Sequence, residues 1–254
     1  MKSILREFQP ISLDQMKEIR LMNRTDTKFV TTNSALKQLL ELARENYYAQ
    51  EIDGSRIARY YTVYYDTPGC DMYRRHACGH LNRQKIRIRS YVDSSQSFLE
   101  IKTKNNHGRT KKKRTVLESF LPASPDYQAI HGDHAFIGKH LRYDPEGLQE
   151  QLENRFERIT LVNRAKTERL TIDLNLRFHN LATGADYSCG DIVIIELKRD
   201  SLAPSPILPL LRRLHIHQSG FSKYCIGSAL TNPGLRTNRF KVRLRRFKKL
   251  TDNN

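Results

Sequence analysis

This chain lacks any long apolar run. Its most continuous aliphatic stretch, Ile192–Ile195, is strand-length, against the roughly 20 apolar residues that a membrane-spanning helix needs. Met1–Gln9 has no apolar core of the kind a secretory signal carries, so the expected location is cytoplasmic. Cysteine is scarce. Cys70, Cys78, Cys189 and Cys225 form no Cys-x-x-Cys pair and have no histidine at zinc-finger spacing, so reduced structural thiols are expected and a zinc site is not. No glycine-rich loop ends in Lys-Ser or Lys-Thr, which excludes a P-loop phosphate cradle. The nine histidines form no catalytic set: His76, His80, His131, His134, His215 and His217 are scattered, with no Ser-His-Asp arrangement around them.

Positive charge is abundant: the 254 residues carry a net charge of +17. Acid is absent from 236–249, where Arg236, Arg239, Lys241, Arg243, Arg245, Arg246, Lys248 and Lys249 accumulate. Such a balance favours anionic partners: nucleic acid, phosphorylated small molecules, polyphosphate or an acidic membrane surface. In the body of the chain the cations follow a strand rhythm. Lys85, Arg87 and Arg89 are separated by Ile86 and Ile88, and Glu100, Lys102 and Lys104 alternate with Leu99 and Ile101. Strand side chains alternate between faces, so each segment has one aliphatic and one charged face. A charged face is either the ordinary wet side of an antiparallel sheet or a polyanion site, where a bound anion relieves the repulsion among cations.

The rhythm recurs. Thr171, Asp173, Asn175 and Arg177 alternate with Ile172, Leu174, Leu176 and Phe178; Glu196 and Lys198 flank Leu197; and Lys28 lies inside a strand over 24–30. Further strands are expected at 57–66, 83–92, 97–105, 109–119, 154–164, 169–178 and 191–198. Helices are expected at 12–22, 34–46, 71–80, 210–214 and 222–230, and short helices between 121 and 151. Seven or eight strands in mostly sequential antiparallel order point to an α+β chain whose sheet closes on itself, since closure removes exposed edges and creates an interior.

Seven segments, in order along nearly the whole chain, carry a resemblance. They are Arg24-Thr-Asp-Thr-Lys28, Val63-Tyr-Tyr-Asp66, Lys85-Ile-Arg-Ile-Arg89, Phe98-Leu-Glu-Ile-Lys102, Asn163-Arg164 with Arg169, Ile195-Glu-Leu-Lys198 and Phe221-Ser-Lys-Tyr224. Together they resemble the VTC-type polyphosphate polymerase domains of the CYTH-like triphosphate tunnel metalloenzyme superfamily. The resemblance implies an eight-stranded antiparallel β-barrel tunnel with peripheral helices over 1–235, followed by a basic tail or helix over 236–254. It implies ATP and inorganic polyphosphate as partners, Mn2+ or Mg2+ as cofactor, and transfer of the ATP γ-phosphate to a growing polyphosphate chain. Carried over by position, Lys28, Arg87, Arg89, Lys102, Arg164, Arg169 and Lys223 hold phosphates, Glu196 binds the metal, and Lys198, Ser222 and Tyr65 contact substrate. One residue of Lys112, Lys113 and Arg114 completes the set, with Lys113 assigned.

The hydrolytic tunnel enzymes carry Glu-x-Glu-x-Lys on their first strand; here the segment reads Arg24-Thr-Asp-Thr-Lys28, which favours the polymerase branch. A tripolyphosphate or nucleoside triphosphate hydrolase is the first alternative, and a polyphosphate-binding module without turnover is the second. No nucleic-acid module is recognisable, and none is expected as a partner. For the tail, three readings stand open: a solvated helix packed by Phe240, Leu244 and Phe247, a guide for product polyphosphate, or contact with an acidic membrane surface.

Overall fold

The computed structural model describes residues 1–17, 19, 24–200 and 203–252. Eleven strands form one sheet. They are β1 Gln9–Ile11, β2 Arg24–Thr32, β3 Tyr47–Gln50, β4 Ala58–Asp66, β5 Arg83–Tyr91 and β6 Gln96–Lys104, then β7 Thr110–Val116, β8 Gln149–Asn163, β9 Glu168–Asn180, β10 Asp186–Ser188 and β11 Ile192–Asp200. The helices are α1 Lys2–Arg6, α2 Leu13–Lys17, α3 Asn33–Ala43, α4 Asp71–Ala77, α5 His134–His140, α6 Ile207–Arg213, α7 Lys223–Thr231 and α8 Lys241–Asp252. The principal path runs β2-β11-β9-β8-β4-β5-β6-β7, with every neighbouring pair antiparallel. This is the expected α+β class with a large antiparallel sheet. Among the described residues the hydrogen-bonded path ends at β2 and β7.

Most expected elements lie where hydrophobic periodicity puts them. The expected helix over 12–22 is observed as α2, opened by a capping box in which Ser12 Oγ accepts from Gln15 N at 3.2 Å and Gln15 Oε1 accepts from Ser12 N at 3.0 Å; positions 18 and 20–22 lie outside the described residues. The short β1, β3 and β10 escape sequence reading. A three- or four-residue strand has too few positions to display a period, and β1 and β3 exist by pairing with each other.

Apolar side chains divide the sheet into two surfaces. On the convex side, Leu36, Leu39 and Leu40 of α3 pack on Ile159, Leu161, Ile172, Ile195 and Leu197. Further along, Val63, Tyr65, Ile86, Ile88, Leu99 and Ile101 are covered by Phe120, Ile130 and Ile137. The third cluster lies on the concave side at one end. There Val30, Tyr64, Phe156, Phe178 and Ile194 receive Tyr224 and Ile226 of α7 together with Phe240 and Phe247. Helix α8 is thus seated by the stripe that the sequence shows.

One expectation about facing is corrected. Asn175 has φ 51°, a left-handed conformation that Asn tolerates better than most residues. It sits where the β8–β9 register shifts between Arg155 and Glu157. The bulge inverts the alternation. Thr171 and Asp173 keep the concave face, while Leu176 and Phe178 replace Asn175 and Arg177 there, and both polar residues are exposed.

Helix α7 approaches the sheet closely because of Gly227. A Cβ at that position would lie 2.5 Å from Phe178 Cδ1 and 2.7 Å from Leu152 Cδ2. Both contacts are within the core, so no flexible tip yields. Gly227→Ala is expected to lower stability by about 1–3 kcal/mol, read as a reduced midpoint in urea denaturation with an unchanged slope.

Candidate functional site

The concave face is built in cross-strand rows. Lys28 of β2 lies opposite Glu196 of β11, which lies opposite Thr171 of β9. The next row is Asp26, Lys198 and Arg169. Across the sheet, Tyr64, Arg87, Glu100 and Arg114 form a row from β4 to β7, and Lys85, Lys102 and Lys112 form another. The two halves are far apart along the strand path, yet Lys102 feels the charges of Glu196 and Lys28. The sheet therefore curls enough to bring Lys102 of β6 within electrostatic range of Glu196 of β11 and Lys28 of β2. Lys102 is exposed to water and lies among charges from both halves of the sheet.

Three carboxylates moderate the cations, each held differently. Glu100 is buried; Arg87 Nε and Nη2 both donate to its Oε2 at 2.8 and 2.6 Å, and Lys112 Nζ donates to Oε1 at 2.8 Å. Asp173 is buried too, gripped by Arg158 through a two-bond fork at 2.6 and 2.9 Å and by Lys223. Glu196 meets two point charges, Lys28 and Lys198, the latter at 3.7 Å. Its side chain keeps 20% of its accessibility, against 1% for Glu100 and 4% for Asp173. Forked guanidinium contacts are the stronger and more directional type, and stripping one partner from a buried pair costs about 3–5 kcal/mol. Glu196 is consequently the carboxylate most free to exchange partners.

Burial opposes ionisation of all three acids, but the surrounding cations prevail. Arg87, Arg89 and Lys112 hold Glu100 well below the carboxylate range; Arg158 and Lys223 bring Asp173 down to about 2; Lys198, Lys28 and Arg158 hold Glu196 low as well. Arg87 and Arg158, paired with acids, hold their protons more tightly, whereas cations without such a partner carry the opposite strain. Arg89 is 8% exposed and makes no ion pair among the described residues; it donates to Thr62 Oγ1 at 3.4 Å and lies 5.9 Å from the ring centres of Tyr60 and Phe156. Burial, then Arg87, lowers its proton affinity. Lys102 is lowered to about 8 by burial, opposed by Glu196 and reinforced by Arg87, Lys28 and Lys85. Tyr64 is more acidic than an ordinary phenol despite burial, because Arg87, Arg89, Lys223 and Lys85 surround it. The site is short of negative charge.

Helix α7 supplies its first turn to this face. Ser222 caps it, accepting from Cys225 N at 3.3 Å, and also accepts from Lys85 Nζ at 2.7 Å. Lys223 follows, lying 4.5 Å from the Phe156 ring centre.

Lys28, Arg87, Arg89, Lys102, Arg169, Lys198, Glu196, Ser222 and Lys223 thus come from β2, β5, β6, β9, β11 and α7 to one concavity. Three expected residues do not. Arg164 donates to Glu45 O at 3.0 Å and to Gln9 Oε1, with its guanidinium 4.2 Å from the Tyr48 ring centre, so its fork is engaged beside β1 and β3. Tyr65 points to the convex core and donates to Tyr127 O at 2.9 Å; strand alternation gives the concave position to Tyr64. Lys113 lies opposite Ile101, so the register of β7 puts Lys112 and Arg114, rather than Lys113, on the basic face. Arg158 was missed. Its signal was present, since Ile159 and Leu161 mark the convex face of β8 and leave Arg158 and Thr160 on the other.

A model of the VTC domain matches residues 23–232. The chain belongs to the VTC domain family. Among solved structures, this VTC domain is similar to a candidate adenylate cyclase of Bacillus halodurans, at 14% identity and TM-score 0.51, over 79% of this chain and 96% of that one. It is also similar to HpAC1 of Hippeastrum, a candidate adenylyl cyclase with a dominant triphosphatase activity, at 15% identity and TM-score 0.50, over 83% and 97% of the two chains. At these identities the likeness is one of fold alone. No curated protein sequence matches significantly.

The lowered proton affinity of Lys102 yields a test. A bound polyanion restores the proton, so tripolyphosphate binding at pH 8.5–9 is expected to take up protons, measured by calorimetry in buffers of different ionisation enthalpy. Lys102→Gln removes that uptake and weakens binding. The stability sign runs the other way: with its folded pKa at about 8, Lys102 penalises the unliganded fold below that pH, and the penalty fades as pH rises toward the ordinary lysine value.

Proposed function

We propose that this VTC domain is a metal-dependent polyphosphate polymerase, transferring the γ-phosphate of ATP to the end of an inorganic polyphosphate chain inside a basic tunnel formed by the curled sheet. The observation that carries this reading is the state of the acids. Glu100, Asp173 and Glu196 are all held ionised by cations, which makes each a weak base. His76 is turned away toward Cys225, its pKa lowered to about 2 by burial and then by Lys85. Water needs a group to take its proton when it attacks phosphorus. A phosphate chain end does not, because its oxygen is already anionic. The chain's terminal oxygen forms the new P–O bond, and the bond from the γ-phosphorus to the ADP oxygen breaks.

The residues of the face would position and neutralise rather than react covalently, which is what phosphoryl transfer requires. Arg89 offers a planar fork to phosphate oxygens, Arg158 the Nη1 that Asp173 leaves free, and Lys28, Lys102 and Lys223 offer mobile point charges, while Arg87, held by Glu100 and Tyr64, adds its charge. Lys85 and Ser222 close the row at the first turn of α7.

Mn2+ or Mg2+ fits the donor set in one way. Among the described residues no three of His, Cys, Asp and Glu converge, and of the three acids gripped by the cations Glu196 is the exchangeable one. That suits a hard cation whose remaining ligands are triphosphate oxygens and water. The ion would neutralise charge on the transferring group. Hydrolysis is the second reading, favoured by the triphosphatase activity of the Hippeastrum neighbour.

Incubation with ATP and Mn2+, with products resolved on a polyphosphate gel, tests both. The expected outcome is a ladder of chains with ADP release, reduced at least a hundredfold in Glu196→Gln while tripolyphosphate binding persists. Free phosphate without chains would replace the polymerase reading with the hydrolase.

A further inference from the structure

A second group of cations lies outside the rows described above, where α4, α7 and the C-terminal helix meet. Arg83 is two residues from Lys85 on the same strand face, about 7 Å along β5. Its Nη1 donates to His80 O at 2.5 Å. Arg239 Nη1 lies against Gly79, the residue before His80, which sets it beside Arg83, and His76 feels Lys85, Arg83, Arg243 and Arg239 together. Arg83, Arg239 and Arg243 thus extend the positive charge of Lys85 beyond the concave face toward α8.

This extension is built rather than left over. Phe240 is buried against Tyr73 and His76, with ring centres 6.0 Å from each, and fixes the backbone beside Arg239. Phe247 is buried and stacks on Phe221 at 6.1 Å, fixing α8 one turn beyond Arg243. Two glycines lie beneath the guanidinium groups, Gly79 being in any case a position of φ 84°. A Cβ on Gly79 would lie 2.0 Å from Arg239 Nη1, and one on Gly220 would lie 3.1 Å from Arg243 Nη2. Arg239 and Arg243 are exposed and make no ion pair among the described residues. Phe221, beneath Phe247, is followed by Ser222 and Lys223, so the extension ends against the turn that supplies those two residues to the site.

We propose that Arg83, Arg239 and Arg243 form a rim that holds the part of an inorganic polyphosphate chain extending beyond the triphosphate-length site. The proposal rests on the polyanion reading of the concave face and adds its exit path. Spacing favours a linear, flexible polyanion, because the cations extend away from the concave face instead of converging on one point. A single phosphate would meet one guanidinium at a time; a long chain meets all three.

Calorimetric titration of the full chain with tripolyphosphate and with long-chain polyphosphate separates the rim from the site. In Arg239→Ala/Arg243→Ala, long-chain affinity is expected to fall about tenfold, with a shallower salt dependence, while tripolyphosphate affinity stays unchanged. Arg239→Lys/Arg243→Lys should recover most of the loss. Unchanged long-chain affinity in the alanine variant would overturn the rim. Equal loss of both ligands, not recovered by lysine, would also overturn it, making the arginines supports of the fold. Retained long-chain binding with lost binding to phosphatidylserine vesicles would overturn it in favour of a membrane contact. Failure of the unsubstituted protein to bind tripolyphosphate would defeat the reading of the concave face and the rim with it; binding of tripolyphosphate without a gain for longer chains would defeat the rim alone.

Discussion

A surplus of cations held on one wall of a sheet, without enough carboxylates to balance them, is the constraint on which the rest of this structure depends. Like charges on neighbouring strands repel, and burial strengthens the repulsion because the interior screens less than water. The fold answers by spacing three acids across the wall, so that Glu100 restrains Arg87 and Lys112, Asp173 restrains Arg158 and Lys223, and Glu196 restrains Lys28 and Lys198. Arg89 and Lys102 are left under-compensated, the first buried over aromatic rings and the second exposed to water.

The apolar parts of the molecule serve that wall. Convex-side helices bury the aliphatic half of each strand, which frees the other half to be charged. Helix α7 does the reverse, entering the concave side through the gap left by Gly227 and closing one end with Tyr224 and Ile226. Its seat on Phe178 depends on the bulge at Asn175, since an uninterrupted strand would present Arg177 there instead. The same aromatic cluster extends through Phe240 and Phe247 to anchor α8, so the basic C-terminal segment is part of the packed structure and not an appendage.

Much of the site was legible because strand alternation is local. Ile86 and Ile88 declare the buried face, and Lys85, Arg87 and Arg89 follow as the opposite one; the same holds for Glu196 and Lys198 about Leu197. Legibility failed where alternation is interrupted or a segment has no aliphatic reference. Lys111 to Arg114 contains four cations and no apolar residue, so only pairing with β6 shows that Lys112 and Arg114 face inward. Tyr64 and Tyr65 are chemically alike, and the choice between them rests on the register with Arg87 and Ile86.

The sequence by itself determined the class of the fold, the sheet-forming segments and the sign of the charge on one face, since each follows from neighbours within a few residues. Only the tertiary structure decided which charges meet. The approach of Lys102 to Glu196 depends on the curl of the whole sheet, the grip of Arg158 and Lys223 on Asp173 joins two strands to a helix, and the diversion of Arg164 to Gln9 and Glu45 depends on how β1 and β3 attach beside β8. Those distances are set by non-local pairing and packing, and charge–charge energies fall with distance and rise with burial. No local pattern contains either quantity.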